Sequence, residues 1–159
     1  MSRTTTFVVV GAAVALVAAG AVAASVAGSA GDGSTTGSVP VTGVDELSGR
    51  WVAVNDGSAP APVIGTVALT FQDGRVLVET GCNSARGPVA VEDGLLVAED
   101  LVSTRMACEP ALMAQEQWLV QMVSSRPRLE VSGPMLALHW GEGERWWLGL
   151  EQAGPTPTS

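Results

Sequence analysis

Asp73-Gly74 and Asp93-Gly94 each separate two short runs in which apolar and polar residues alternate. An Asp-Gly pair between alternating runs is a strong hairpin signal, because a tight two-residue turn needs backbone angles that Asp and Gly tolerate. In "TVALTFQDGRVLVET" (66–80), Val67, Leu69 and Phe71 share one face, and Val76 and Val78 return along it. "PVAVEDGLLVAED" (88–100) repeats the pattern. Near the end, "RLEVSGPMLALHWGEGERWWLGLE" (128–151) predicts further hairpins, with turns at Ser132-Gly133-Pro134 and Gly141-Glu142-Gly143. "LSGRWVAVN" (47–55) reads as another strand. Short strands joined by tight turns, without β-α-β alternation, predict a largely antiparallel sheet.

"PALMAQEQWLVQMVSS" (110–125) interrupts this pattern. It lacks glycine, and Pro110 suits a first helical turn. At helical spacing Ala111, Leu112, Trp118, Leu119 and Met122 share one face, with Gln115 as its polar intruder. Arg126-Pro127 ends the helix, since the residue before proline disfavours the α region. The Met and Trp stripe reads as core. The predicted fold is α+β: a curved, mostly antiparallel sheet of hairpins, a half-open barrel, packed against one α-helix.

Ahead of this domain, Phe7 to Val26 carries no charge, and Arg3 is the single cation before it. About twenty helical residues span roughly 30 Å, the apolar thickness of a bilayer. The small residues that follow also suit a cleaved signal peptide. Residues 1–27 are therefore a signal peptide or a membrane anchor, and both readings imply export. No cysteine lies in the stretch just after the segment, which argues against lipid attachment to an N-terminal Cys. Residues 28–43 read as a Gly/Ser/Thr-rich linker and 152–159 as a flexible tail. Residues 44–151 are enough for one modest domain.

The chain has sixteen acids, eight arginines and no lysine, for a net charge of −8. Such a balance argues against nucleic acid as a partner. His139 is the sole histidine, in a strand-like "MLALHW", and nothing in the sequence supplies a base, nucleophile and orienting group around it. Glu99-Asp100 and the Glu142/Glu144 pair read as solvated edges, and the glycines of "GEGE" lie among acids that would repel phosphate. Zinc needs four ligands, and two cysteines with one histidine at no recognised spacing do not supply them. The sequence thus predicts no enzyme, no cofactor and no metal site.

Cys82 in "VETGCNSARGPV" and Cys108 in "STRMACEP" are the two cysteines. An even count in a small exported domain reads as a disulfide. Closing about 27 residues stabilises a fold by roughly 3.5 kcal/mol on the chain-entropy account. Gly81 permits backbone angles closed to other residues, and Asn83 tolerates a left-handed turn. Arg105, beside Cys108, reads as a structural ion pair or carbonyl clamp, with recognition as the alternative.

"GCNSARG" and "TRMAC", followed by a helix with "MAQEQWL" and a final strand pair, resemble the META domain family, the domain of the heat-shock protein HslJ and its secreted relatives. The resemblance covers roughly residues 45–150. It places Cys82 and Cys108 on the family's cysteine pair, believed to be bridged, Asn83 and Gly87 on its Cys-Asn and closing Gly, and Thr104 and Arg105 on its Thr-Arg. Ala85 stands where the family commonly has an aromatic residue, so a binding surface that used the aromatic would be altered. The resemblance implies a curved antiparallel α+β fold, no established enzyme activity, and a link to stress tolerance, antibiotic resistance or secretion. The combined expectation is a non-enzymatic domain with a structural, stress-related or binding role in the cell envelope. Its partner would be an envelope protein or, alternatively, an apolar ligand or lipid held between helix and sheet.

Overall fold

The computed structural model describes residues 40–55 and 57–154. The apolar run from Phe7 to Val26, the linker up to residue 39 and the tail from 155 lie outside the described residues. Among the described residues, nine strands and one α-helix follow in order: β1 Gly49–Asn55, β2 Ala68–Gln72, β3 Arg75–Glu79, β4 Ser84–Glu92, β5 Leu95–Ala98, β6 Val102–Ser103, α1 Pro110–Ser124, β7 Arg128–Ser132, β8 Met135–Trp140 and β9 Trp146–Gln152.

The Asp-Gly signals hold. Asp73 and Gly74 have φ of 51° and 67°, Asp93 and Gly94 of 51° and 76°, the double positive φ that matches a right-twisted hairpin. They register Phe71 against Val76 and Val91 against Leu96. Every pairing is antiparallel, and eight strands close a ring in the order β1, β2, β3, β4, β5, β7, β8, β9 and back to β1. The β5–β7 seam is thin. Leu95 pairs Arg128, flanked by Leu96 N–H to Pro127 C=O and Leu129 N–H to Gly94 C=O, both 2.9 Å. Beyond that point α1 packs against β5.

Alternation decides which side chains fill the ring. Trp51, Leu69, Phe71, Val76, Val78, Leu96, Leu136, Leu138, Leu148 and Leu150 are buried inside. Trp118, Leu119, Met122 and Val123 of α1 join the same core. Trp118 lies parallel to Trp140 with ring centroids 6.1 Å apart. Side chains of helix and sheet thus meet in one core. Ala111, placed by periodicity on the inner face, is exposed, and Val123 takes its share of the face instead. The helix ends at the expected place by a different device: Arg126 adopts φ 58°, a left-handed terminus, before Pro127.

Two expectations differ from the structure. The linker expected over 28–43 stops short of that bound, because Val41 is buried in the core. Beside it, Val44–Leu47 form a 3-10 turn whose Leu47 C=O accepts the Trp51 indole N–H at 2.7 Å. The Glu46 carboxylate accepts from Thr42 Oγ1 and from the Thr42 and Gly43 N–H groups, which holds its pKa below the ordinary carboxylate value. Second, β4 begins at Ser84, inside the cysteine motif, not at Pro88. Its inward residues there are Ala85 and Gly87, too small to create an apolar rhythm. The two-residue β6, paired with β4 through Ser103 and Val102, is too short for any periodic signal.

Leu119→Ala should cost about 2–5 kcal/mol in chemical denaturation, because it opens a cavity at the helix–barrel contact. Met113→Ala, on a side chain that is 42% exposed, should stay within about 0.5 kcal/mol. Equal losses at the two positions would show that another face of the helix docks.

Candidate functional site

After β3 the chain turns through Thr80–Asn83, closed by Thr80 N–H and Oγ1 donating to Asn83 C=O at 3.0 and 2.7 Å. Gly81 holds φ 90°, and a Cβ there would meet the Gln115 amide nitrogen and the Ile64 carbonyl, each at 3.1 Å. Glycine is required twice over, by its angle and by its neighbours. Asn83 is not left-handed. It is buried, and its side chain is a hub: Nδ2 donates to Glu116 Oε2 at 2.7 Å and Met106 C=O at 3.2 Å. Its Oδ1 accepts from Met106 N–H at 2.8 Å and Thr104 Oγ1 at 2.9 Å. Both donors and both lone pairs of the amide are used.

Thr104 extends the hub, its Oγ1 accepting Ser84 N–H at 3.1 Å while its own N–H donates to Ser84 C=O at 3.0 Å. Ser103 Oγ donates to Glu116 Oε1 at 2.8 Å. Cys82 and Cys108 are bonded to each other, with Cα atoms 6.4 Å apart, inside the range a disulfide accepts. One turn along α1, the buried Gln115 accepts Ile64 N–H at 2.6 Å and donates to Ile64 C=O at 2.9 Å and Thr80 C=O at 2.7 Å. The polar intruder on the helix face is a clamp on two loops.

Of the six motif residues, five thus have a task. Cys82, Asn83, Thr104 and Cys108 meet in this knot. Gly87 admits the β5–β6 connection, since a Cβ there would lie 2.8 Å from Glu99 C=O. Arg105 makes neither the ion pair nor the carbonyl clamp expected of it: among the described residues it has no polar partner, and it is exposed. Ala85 faces the barrel interior with no exposure, so an aromatic at this position would enter the core rather than a binding surface. Glu116, Ser103 and Ile64 were not singled out from sequence. Gln115 carried the one signal available, a polar residue on an apolar face.

His139 lies elsewhere, on the outer face of β8. Its Nε2 is 3.4 Å from Glu130 Oε2, and Arg128 bridges Glu130 at 3.4 Å and Glu144 at 2.8 Å. Arg128 donates to both Glu144 oxygens, which lowers the Glu144 pKa and raises that of Arg128. The cluster ties the Glu142–Glu144 turn to β7, and both thiols that could have served as nucleophiles are in the bridge. Among the described residues, no group of three or more His, Cys, Asp or Glu is placed to hold a metal, and no helix is long and apolar enough to cross a membrane.

Two surface grooves flank the segment from β6 to Cys108. One, of about 600 Å³, runs beside Thr66, Glu79, Cys82, Asn83, Thr104 and Met106. The other, of about 650 Å³, lies between Ser103 and the helix residues Pro110, Met113, Ala114, Gln117 and Val120. The arrangement can present a rigid ridge to another molecule; it brings no acid, base and nucleophile together.

A family model described as META domain matches residues 45–152. Two NMR structures share the fold. One protein is 20% identical with a TM-score of 0.55, over 70% of this chain and 95% of that one. Another, from Burkholderia xenovorans, is 19% identical with a TM-score of 0.57, over 70% and 87%. At these identities the likeness shows the fold alone. No curated protein matches the chain.

Asn83→Ala, with the bridge intact, should cost at least about 2 kcal/mol in denaturant titration, because it strands Met106 N–H and Met106 C=O in the knot. Ser103→Ala should cost less, about 1 kcal/mol or below. The reverse order would show that Asn83 is not the hub. Glu144→Gln should lower the melting temperature at neutral pH. The folded pKa of Glu144 is depressed, so its contribution is present above the ordinary carboxylate pKa and disappears as pH falls through the folded value. Wild type and Glu144→Gln should therefore converge in acid; a difference that grows on acidification would contradict this linkage.

Proposed function

We propose that this chain, which belongs to the META domain family, is a non-enzymatic extracytoplasmic domain that serves the cell envelope through a structural or binding role. The observation that carries this reading is the Cys82–Cys108 bridge. Such bonds persist in oxidising compartments and are rare where thiols are kept reduced. The uncharged run from Phe7 to Val26 behind Arg3 supports export, either as a cleaved signal or as a retained anchor. A binding or structural role, rather than catalysis, is supported by what the polar groups do. Asn83, Thr104, Gln115 and Glu116 direct their hydrogen bonds at the fold itself, and the imidazole lies beside the Glu130 carboxylate outside the barrel. A stress-related role is what the family resemblance adds.

The test is a thiol-reactive mass tag applied without reductant to host cells, followed by fractionation. The protein should appear in the envelope or the medium with neither Cys82 nor Cys108 tagged. Two tagged thiols in a cytosolic protein would overturn the assignment. In the same host, His139→Ala should leave any measurable effect of the protein unchanged. Loss of effect at an unchanged melting temperature would revive an enzymatic reading.

A further inference from the structure

Arg105 is the motif residue to which the fold assigns nothing, and the residues on both sides of it are anchored. On one side Thr104 is bonded to Asn83 and Ser84. On the other, Met106 exchanges both backbone groups with Asn83, and Cys108 is bridged to Cys82. A long cationic side chain between anchored residues, without a polar partner among the described residues, is available to an external ligand. Exposed apolar side chains lie on the same segment and on α1. Val102 is 69% exposed, Met106 57% and Met113 42%. The nearby Glu116 carboxylate is occupied by Ser103 and Asn83. β6 is the terminal strand of the sheet, paired with β4 alone, and it borders the groove along α1.

Building on the binding role proposed above, we propose that this ridge docks an extended, apolar segment of a partner protein that carries a carboxylate, with Arg105 as the carboxylate's partner. Arg and Met are favoured at the cores of protein interfaces, and exposed apolar groups beside a free strand edge suit strand addition. A guanidinium pairs with a carboxylate through two parallel hydrogen bonds, which sets register as well as affinity. Because the knot beneath already holds the backbone, little ordering remains to be done on binding. The net charge of −8 repels a strongly acidic partner or an anionic membrane at long range, so one carboxylate among apolar residues is the better complement.

The probe is a fluorescent peptide, Ser-Val-Leu-Glu-Val-Leu-Ser with blocked ends, titrated by anisotropy against the protein purified from its host. Binding is expected in the micromolar-to-millimolar range. Arg105→Gln should weaken it about tenfold, as should replacing the peptide's Glu by Gln, and the two changes together should be no worse than either alone. Arg75→Gln, away from the ridge, should leave binding unchanged. No binding at millimolar peptide, equal affinity for Arg105→Gln, or additive losses would each overturn the proposal. So would Arg105-dependent binding to phosphatidylglycerol vesicles in place of the peptide. Failure here with untagged cysteines in the envelope removes the docking surface alone; tagged cytosolic cysteines remove the envelope assignment whatever the peptide does.

Discussion

One buried amide holds the irregular half of this domain together. Asn83 sits where β3 has ended and β4 has not begun, and its four hydrogen bonds reach the segment before the helix and the helix itself. Three pieces of chain distant in sequence therefore share one satisfied polar centre. Buried amides are costly unless every group is paired, so the centre works as a unit or not at all. The disulfide beside it limits how far the same segments separate when the chain is unfolded, which is a different contribution from the native hydrogen bonds.

The ring of strands depends on that arrangement through its weakest join. β5 and β7 meet around a single register pair, and the chain between them must leave the sheet, form α1 and return. The apolar face of α1 closes the core at that end, with Trp118 stacked on Trp140 and Leu119 fully buried. Gln115 adds direction, because its amide fits the Ile64 backbone and Thr80 C=O in one orientation only. Apolar burial supplies most of the driving force, while the polar contacts select which helix face and which end of the barrel are used.

The same rigidity bears on function. Surfaces that bind without rearranging need their backbone fixed in the free state. The segment from Val102 to Cys108 meets that condition by hydrogen bonds from below and a covalent bond at its end, while Val102, Arg105 and Met106 remain outward. The His139 cluster, by contrast, uses its charges on one another.

Local chemistry made much of this legible in the sequence. The Asp-Gly turns, the alternation of Val67, Leu69 and Phe71, the single helix from Pro110 and the even cysteine count each depend on neighbours within a few residues. The antiparallel barrel with one packed helix and the Cys82–Cys108 bond followed from them and from the family motif, although the ring is closed where a half-open one is expected. Other features arise only when distant segments meet. Small inward residues at Ala85 and Gly87 concealed the start of β4, because close approach by another strand leaves no apolar rhythm to read. Asn83 looked like a turn residue, and only the partners brought by β6 and α1 make it a hub. Arg105 reads as an internal clamp, yet the nearby Glu116 carboxylate is taken by Ser103 and Asn83, and Arg105 is left exposed. Periodicity and turn chemistry act over a few residues and belong to the sequence alone; the pairing of buried polar groups is a property of three-dimensional proximity, and only the tertiary structure decides it.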